Sequence, residues 1–126
     1  MSKILLVDDE KSLNEVLTKG LEHEGFNVIS AFSGSEALTI LEDSSFSADL
    51  MITDLYMDDG GGQQLIKWTL ENRSDLKILA ISGQDQESFM SALDIIEGEG
   101  VPTMEKPFSI NQLVDVVNGL LNSNLF

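Results

Sequence analysis

The sequence predicts an α/β domain in which five strands alternate with five helices, and two observations carry that prediction. Short apolar runs without polar alternation recur along the chain, as strands buried on both faces require. Between them lie segments whose apolar residues return at i, i+3, i+4 and i+7, the stripe of a helix packed on one side. Strict alternation of the two patterns, joined by right-handed crossovers, gives a parallel sheet with helices on both faces.

The first run is Ile4-Leu5-Leu6-Val7. Leu13, Val16, Leu17, Gly20 and Leu21 then form a helical stripe, which Gly25 ends in the position where helices favour glycine. Phe26 to Ile29 reads as the second strand, and Ser33 and Ser35 can cap a helix with Ala37, Leu38 and Leu41 inward. Asp49 to Thr53 is the third strand, closing on Asp54. A loop of Asp58, Asp59, Gly60, Gly61 and Gly62 leads to a helix with Leu65, Ile66 and Leu70 inward. Lys77 to Ile81 is the fourth strand, followed by a stripe of Phe89, Ala92, Leu93 and Ile96 that ends near Gly98 or Gly100. Val101 to Glu105 is the fifth strand, weakened by Pro102. Ile110, Leu113, Val114, Val117 and Leu121 mark the closing helix. With no linker, repeat or low-complexity run, a single domain over residues 1–126 is expected.

Composition narrows the function classes. The chain is 42% hydrophobic and 23% charged, enough for one core and unlike a disordered segment. The absence of cysteine excludes disulfides and thiolate metal sites. The apolar run at the N-terminus is about half of a secretory core, and nothing approaches the roughly 18 apolar residues of a membrane span. A soluble, cytoplasmic protein is expected. Its net charge of −15, from 22 acidic and 7 basic residues, repels nucleic acid and anionic lipid and favours cations and basic surfaces.

The unusual polar residues collect at the C-terminal ends of the strands. Asp8 and Asp9 follow strand one, Asp54 ends strand three, Ser82 strand four and Lys106 strand five. Ligands of open α/β sheets bind outside those ends, where the strand order reverses. In the order 2-1-3-4-5 the reversal lies between strands one and three, which supply the aspartates. Carboxylates held this close repel one another, and a hard divalent ion such as magnesium relieves the conflict. Lys106 adds a positive point charge, and Ser82 a small hydroxyl donor. These parts suit phosphoryl transfer, with a carboxylate as nucleophile. Asp8 or Asp9 is also expected to serve partly as the N-cap of the first helix.

Ile4-Leu5-Leu6-Val7-Asp8-Asp9-Glu10, Ile52-Thr53-Asp54-Leu55-Tyr56-Met57, Ile81-Ser82-Gly83 and Glu105-Lys106-Pro107-Phe108 together resemble the four signatures of response-regulator receiver domains of two-component signalling. The resemblance runs the full length, in order. It implies a flavodoxin-like (βα)5 fold with a five-stranded parallel sheet in the order 2-1-3-4-5. Asp54 would be the phosphoacceptor, taking its phosphoryl group from a histidine kinase or a histidine phosphotransfer protein. Magnesium, with manganese as a substitute, would be held by Asp8, Asp9, Asp54 and the backbone carbonyl of Tyr56. Ser82 and Lys106 would contact the phosphoryl group, and the bond before Pro107 would be cis. Such a domain is not a turnover enzyme; it catalyses its own phosphorylation and dephosphorylation and signals by docking to a protein target.

Two positions depart from the family pattern. Asp58 stands where many members have proline, so the loop after Met57 should be looser and more acidic. Thr103 stands where many carry a tyrosine or phenylalanine that rotates on activation. The rivals are weaker. A dehalogenase-type phosphohydrolase needs an aspartate where Tyr56 stands, and Asp8-Asp9-Glu10 would repel a flavin phosphate. A receiver-like module that ignores phosphate is kept alive by Asp58 and Thr103. Gly60-Gly61-Gly62 lacks the lysine and hydroxyl spacing of a phosphate loop. His23 suits the end of its helix, and Trp68 a partly buried helix position.

Overall fold

A computed structural model describes residues 2–57, 61–83 and 101–122. Strands β1 (Lys3–Val7), β2 (Asn27–Ala31), β3 (Leu50–Asp54), β4 (Lys77–Ser82) and β5 (Thr103–Glu105) form one parallel sheet in the order β2-β1-β3-β4-β5. Helices α1 (Lys11–His23), α2 (Gly34–Glu42), α3 (Gly61–Asn72) and α4 (Ile110–Leu121) complete the described elements. The stripe from Phe89 to Ile96 lies outside the described residues, as do Asp58, Asp59 and Gly60. No helix among the described residues is long and apolar enough to cross a membrane.

The continuous apolar runs serve two cores because alternate strand residues point to opposite faces. Leu5, Val7, Met51, Ile78 and Ala80 meet Ala37 and Leu41 of α2 and Leu65 and Ile66 of α3. Ile4, Leu6, Leu50, Ile52, Leu79 and Ile81 meet Leu17 and Leu21 of α1 and Leu113, Val114 and Val117 of α4. Burial on both sides leaves the strand ends as the place for polar chemistry.

Local signals decide the ends of the helices. Ser33 caps α2 by accepting from Glu36 N at 3.0 Å, while Ser35 lies inside the helix. Ser109 and Gln112 form a reciprocal capping box on α4. Past α1, Gly25 adopts a φ of +99°, which favours glycine. The N-cap of α1 is Glu10, without a side-chain cap, so neither Asp8 nor Asp9 fills that role. The stripe on α1 also differs from expectation, because Val16 is 61% exposed and the buried positions are Asn14, Leu17 and Leu21. At about 100° per residue, Val16 lies some 200° round the helix from Asn14. β5 begins only at Thr103: Pro102 has no N–H to give, although its carbonyl still accepts from Ala80 N at 3.0 Å.

Candidate functional site

The sheet order brings the ends of β1 and β3 side by side, with β4 and β5 next along the same edge. Asp8 leaves β1 almost wholly buried, at 1% exposure, and Asp54 ends β3 at 7%. Carboxylate oxygens of Asp8, Asp9 and Asp54 lie within 4.8 Å of one another. Lys106, just past β5, bridges two of these acids, with its Nζ 3.1 Å from Asp8 Oδ2 and 3.0 Å from Asp54 Oδ2. Its backbone is fixed by Lys106 N donating to Ser82 O at 2.7 Å, and the Lys106–Pro107 peptide bond is cis.

The other carboxylate oxygens take backbone donors. Glu10 N donates to Asp8 Oδ1 at 2.9 Å, and Tyr56 N to Asp54 Oδ1 at 3.1 Å. The electrostatics follow from burial and charge. Burial pushes the Asp54 carboxyl above its ordinary range; the Tyr56 amide and Lys106 pull it back only in part, and Asp8 adds a further push upward. Burial would lower the Lys106 ammonium, but the hydrogen bond and charge of Asp54, with Asp8 beside it, outweigh this and raise it.

Three carboxylates facing one ammonium leave formal negative charge uncompensated. An all-oxygen donor set with that charge fits a hard divalent cation such as magnesium, which prefers carboxylates and retains water. Ser82 is fully buried at the end of β4, its hydroxyl donating to Gly83 O at 3.0 Å. Thr103 is half-buried in β5, in register with Ala80. Tyr56 is half-buried against the core that α2 and α3 cover. Asp58 belongs to the residues outside the description.

Three further residues hold this edge, and none of them is among the site residues that the sequence predicts. Asn14 is fully buried and donates from Nδ2 to Asp8 O at 3.0 Å and Ala31 O at 2.9 Å. Its signal was an amide spaced three and seven residues from Leu17 and Leu21. Thr53, also fully buried, donates to Asp54 O at 3.1 Å. Gly62, in the first turn of α3, lies so close to the end of β3 that an added Cβ would collide with the backbone carbonyls of Asp54 and Leu55. Gly61 and Gly62 are thus helical residues and not part of a loose loop.

A doubly wound sheet with an acid cluster and one lysine at its switch point defines a signalling domain of the receiver class. Residues 4–118 match the response regulator receiver domain family, and the chain belongs to it. It is 34% identical to the DNA-binding transcriptional regulator NtrC of Azospirillum brasilense over 96% of this chain and 24% of that protein. It spans about half or less of the curated relatives' own length. Among solved structures, a response regulator receiver domain protein from Clostridium thermocellum superposes with a TM-score of 0.86 at 24% identity, over 97% of this chain and 95% of that one. The response regulator TrrA from Thermotoga maritima, in complex with Mg2+-BeF, gives 0.80 at 26% identity over 95% of this chain and 99% of that one.

Proposed function

We propose that this receiver domain accepts a phosphoryl group on Asp54, with magnesium held by Asp8, Asp9, Asp54 and the carbonyl of Tyr56. The observation that carries the reading is the bridge from Lys106 Nζ to both Asp8 and Asp54 inside a cluster of carboxylates. The Mg2+ complex of TrrA supports the choice of ion. When bound, the cation would neutralise the acids and the incoming phosphoryl oxygens.

The residues divide the remaining work. A carboxylate oxygen of Asp54 attacks phosphorus; the new O–P bond forms as the bond from phosphorus to the donor's imidazole nitrogen breaks, and that nitrogen keeps the electron pair. Asp54 is held for this by the Tyr56 amide on one oxygen and Lys106 on the other. Lys106 faces the charge that the acceptor side gains. Ser82, turning from the Gly83 carbonyl, donates its hydroxyl to a phosphoryl oxygen. The donor is a histidine kinase or a histidine phosphotransfer protein, the domain itself is not a turnover enzyme, and its output is docking to a protein.

Intact-mass spectrometry with acetyl phosphate, with and without Mg2+, tests this directly. The expected result is a Mg2+-dependent gain of one phosphoryl group that disappears in Asp54→Asn. Labelling that persists in Asp54→Asn would refute the acceptor assignment. No gain in folded protein would favour a phosphate-independent interaction module.

A further inference from the structure

We propose that Asn14 is a positioning residue for the acid cluster, its buried amide holding the peptide unit that links Asp8 to Asp9 in the geometry that binds a divalent cation. This rests on the metal site proposed above and assigns a residue outside it.

Asn14 sits on the inward stripe of α1, where Leu17 and Leu21 are its buried neighbours, and it is itself 0% exposed. A buried amide at such a position is favourable only when its hydrogen-bonding groups are satisfied. Both Nδ2 contacts are to carbonyl oxygens, Asp8 O and Ala31 O, which can only accept, so the orientation of the amide is unambiguous. Oδ1 accepts from Thr18 Oγ1 at 3.2 Å. Thr18 has one hydroxyl proton, and giving it to Asn14 makes Ser30 Oγ, 2.9 Å away, the donor to Thr18. Ser30, Thr18 and Asn14 therefore form a chain with one direction, ending on the backbone of Asp8.

The place where that chain ends matters. The register of β1 with β2 closes at Val7 and Ala31, and Asp8 N reaches Ala31 O at 3.1 Å as the strands part. Asn14 adds a second donor to that same carbonyl and takes the carbonyl of Asp8, so it ties both strand ends to α1. Rotation of the Asp8–Asp9 peptide would swing the two acids relative to Asp54, and the amide opposes that rotation. Groups that orient metal ligands in this indirect way typically contribute about 10–100-fold to affinity.

The test is calorimetric titration of the full chain with MgCl2, beside phosphoryl labelling with acetyl phosphate. Asn14→Leu keeps the branched outline of the side chain but removes both donors, and the expected Mg2+ affinity is at least about tenfold weaker, with labelling slowed in parallel. Val117→Ala, in the same core layer but outside the acid cluster and its hydrogen bonds, should lower the melting temperature and leave the Mg2+ Kd unchanged. A folded Asn14→Leu protein with the wild-type Kd would overturn the proposal, as would an equal loss of affinity in Val117→Ala. If Asn14→Leu does not fold, Thr18→Val decides: the expected Kd is about fivefold weaker, for one lost hydrogen bond, and an unchanged Kd overturns the proposal. Wild-type protein that bound no Mg2+ would instead remove the metal reading itself.

Discussion

Lys106 shows how one side chain can hold a site together and strain it at once. Its ammonium is desolvated, which opposes the charge, yet Asp54 and Asp8 on either side raise its pKa above that of a free lysine. A base shifted upward contributes stability that is full below the ordinary lysine value and is lost as pH rises through the folded value. The contribution is therefore intact at neutral pH and vanishes only in strong alkali. Removing the charge leaves two nearly buried carboxylates facing each other. Lys106→Met should accordingly cost about 2 kcal/mol in metal-free buffer, between the values for exposed and buried pairs. Urea unfolding with and without Mg2+ checks this, because the cation should restore part of the loss. A variant as stable as wild type without Mg2+ would mean that the lysine does not hold the acids together.

The elements place these residues through close backbone contact, and α3 makes the sharpest case. Gly62→Ala would push a methyl group into the backbone carbonyls of Asp54 and Leu55, where only backbone could give way. The expected cost is about 2–3 kcal/mol, as for other overpacked sites, with phosphoryl labelling slowed beyond what the loss of folded protein explains. Gly119 in α4 is the contrast, since a Cβ there meets nothing within 4 Å. Gly119→Ala should add about 0.5–1 kcal/mol from helix propensity alone and leave labelling unchanged; thermal melts of the two variants side by side read both effects. Gly62 also marks how far the sequence could be read. Strand identity and the cluster of Asp8, Asp9, Asp54 and Lys106 were legible because apolar runs and polar residues at strand ends are local patterns, whereas the sheet order rested on the family resemblance, since local runs do not say which strands pair. The close approach of Gly62 to β3 and the inward turn of Asn14 depend on where a second element lies. A glycine triplet looks like a loop until the helix that begins within it is seen. Val16 was misplaced for a related reason: apolar spacing alone left the centre of the α1 stripe open by about one residue.

On the scale of the molecule, the two apolar cores of the described residues stabilise the sheet while its C-terminal edge gathers charge that folding alone does not favour. Burial raises the Asp54 carboxyl pKa in spite of Lys106, so the folded protein holds that proton more tightly than the unfolded chain. A carboxyl shifted upward favours folding fully below its unfolded value, and the benefit is lost as pH rises through the folded value. At neutral pH the ionised Asp54 therefore opposes folding, and the metal-free domain should be more stable as the pH falls through that window, before other carboxylates titrate. Asp54→Asn removes the effect. In EDTA at neutral pH the variant should exceed wild type by the order of 1–2 kcal/mol, the scale on which relief of buried charge acts, and the gap should shrink toward acid. Added Mg2+ should reverse the order, because a ligand that binds only the folded state stabilises it by about 2.7 kcal/mol at a hundred times its Kd. Wild type would gain that increment, while Asp54→Asn, short of one carboxylate, would gain little at the same concentration. Melting temperatures of both proteins across pH, with EDTA and with MgCl2, would show the crossing. Parallel curves in the two buffers would mean that the acids at this edge neither oppose folding nor capture the ion.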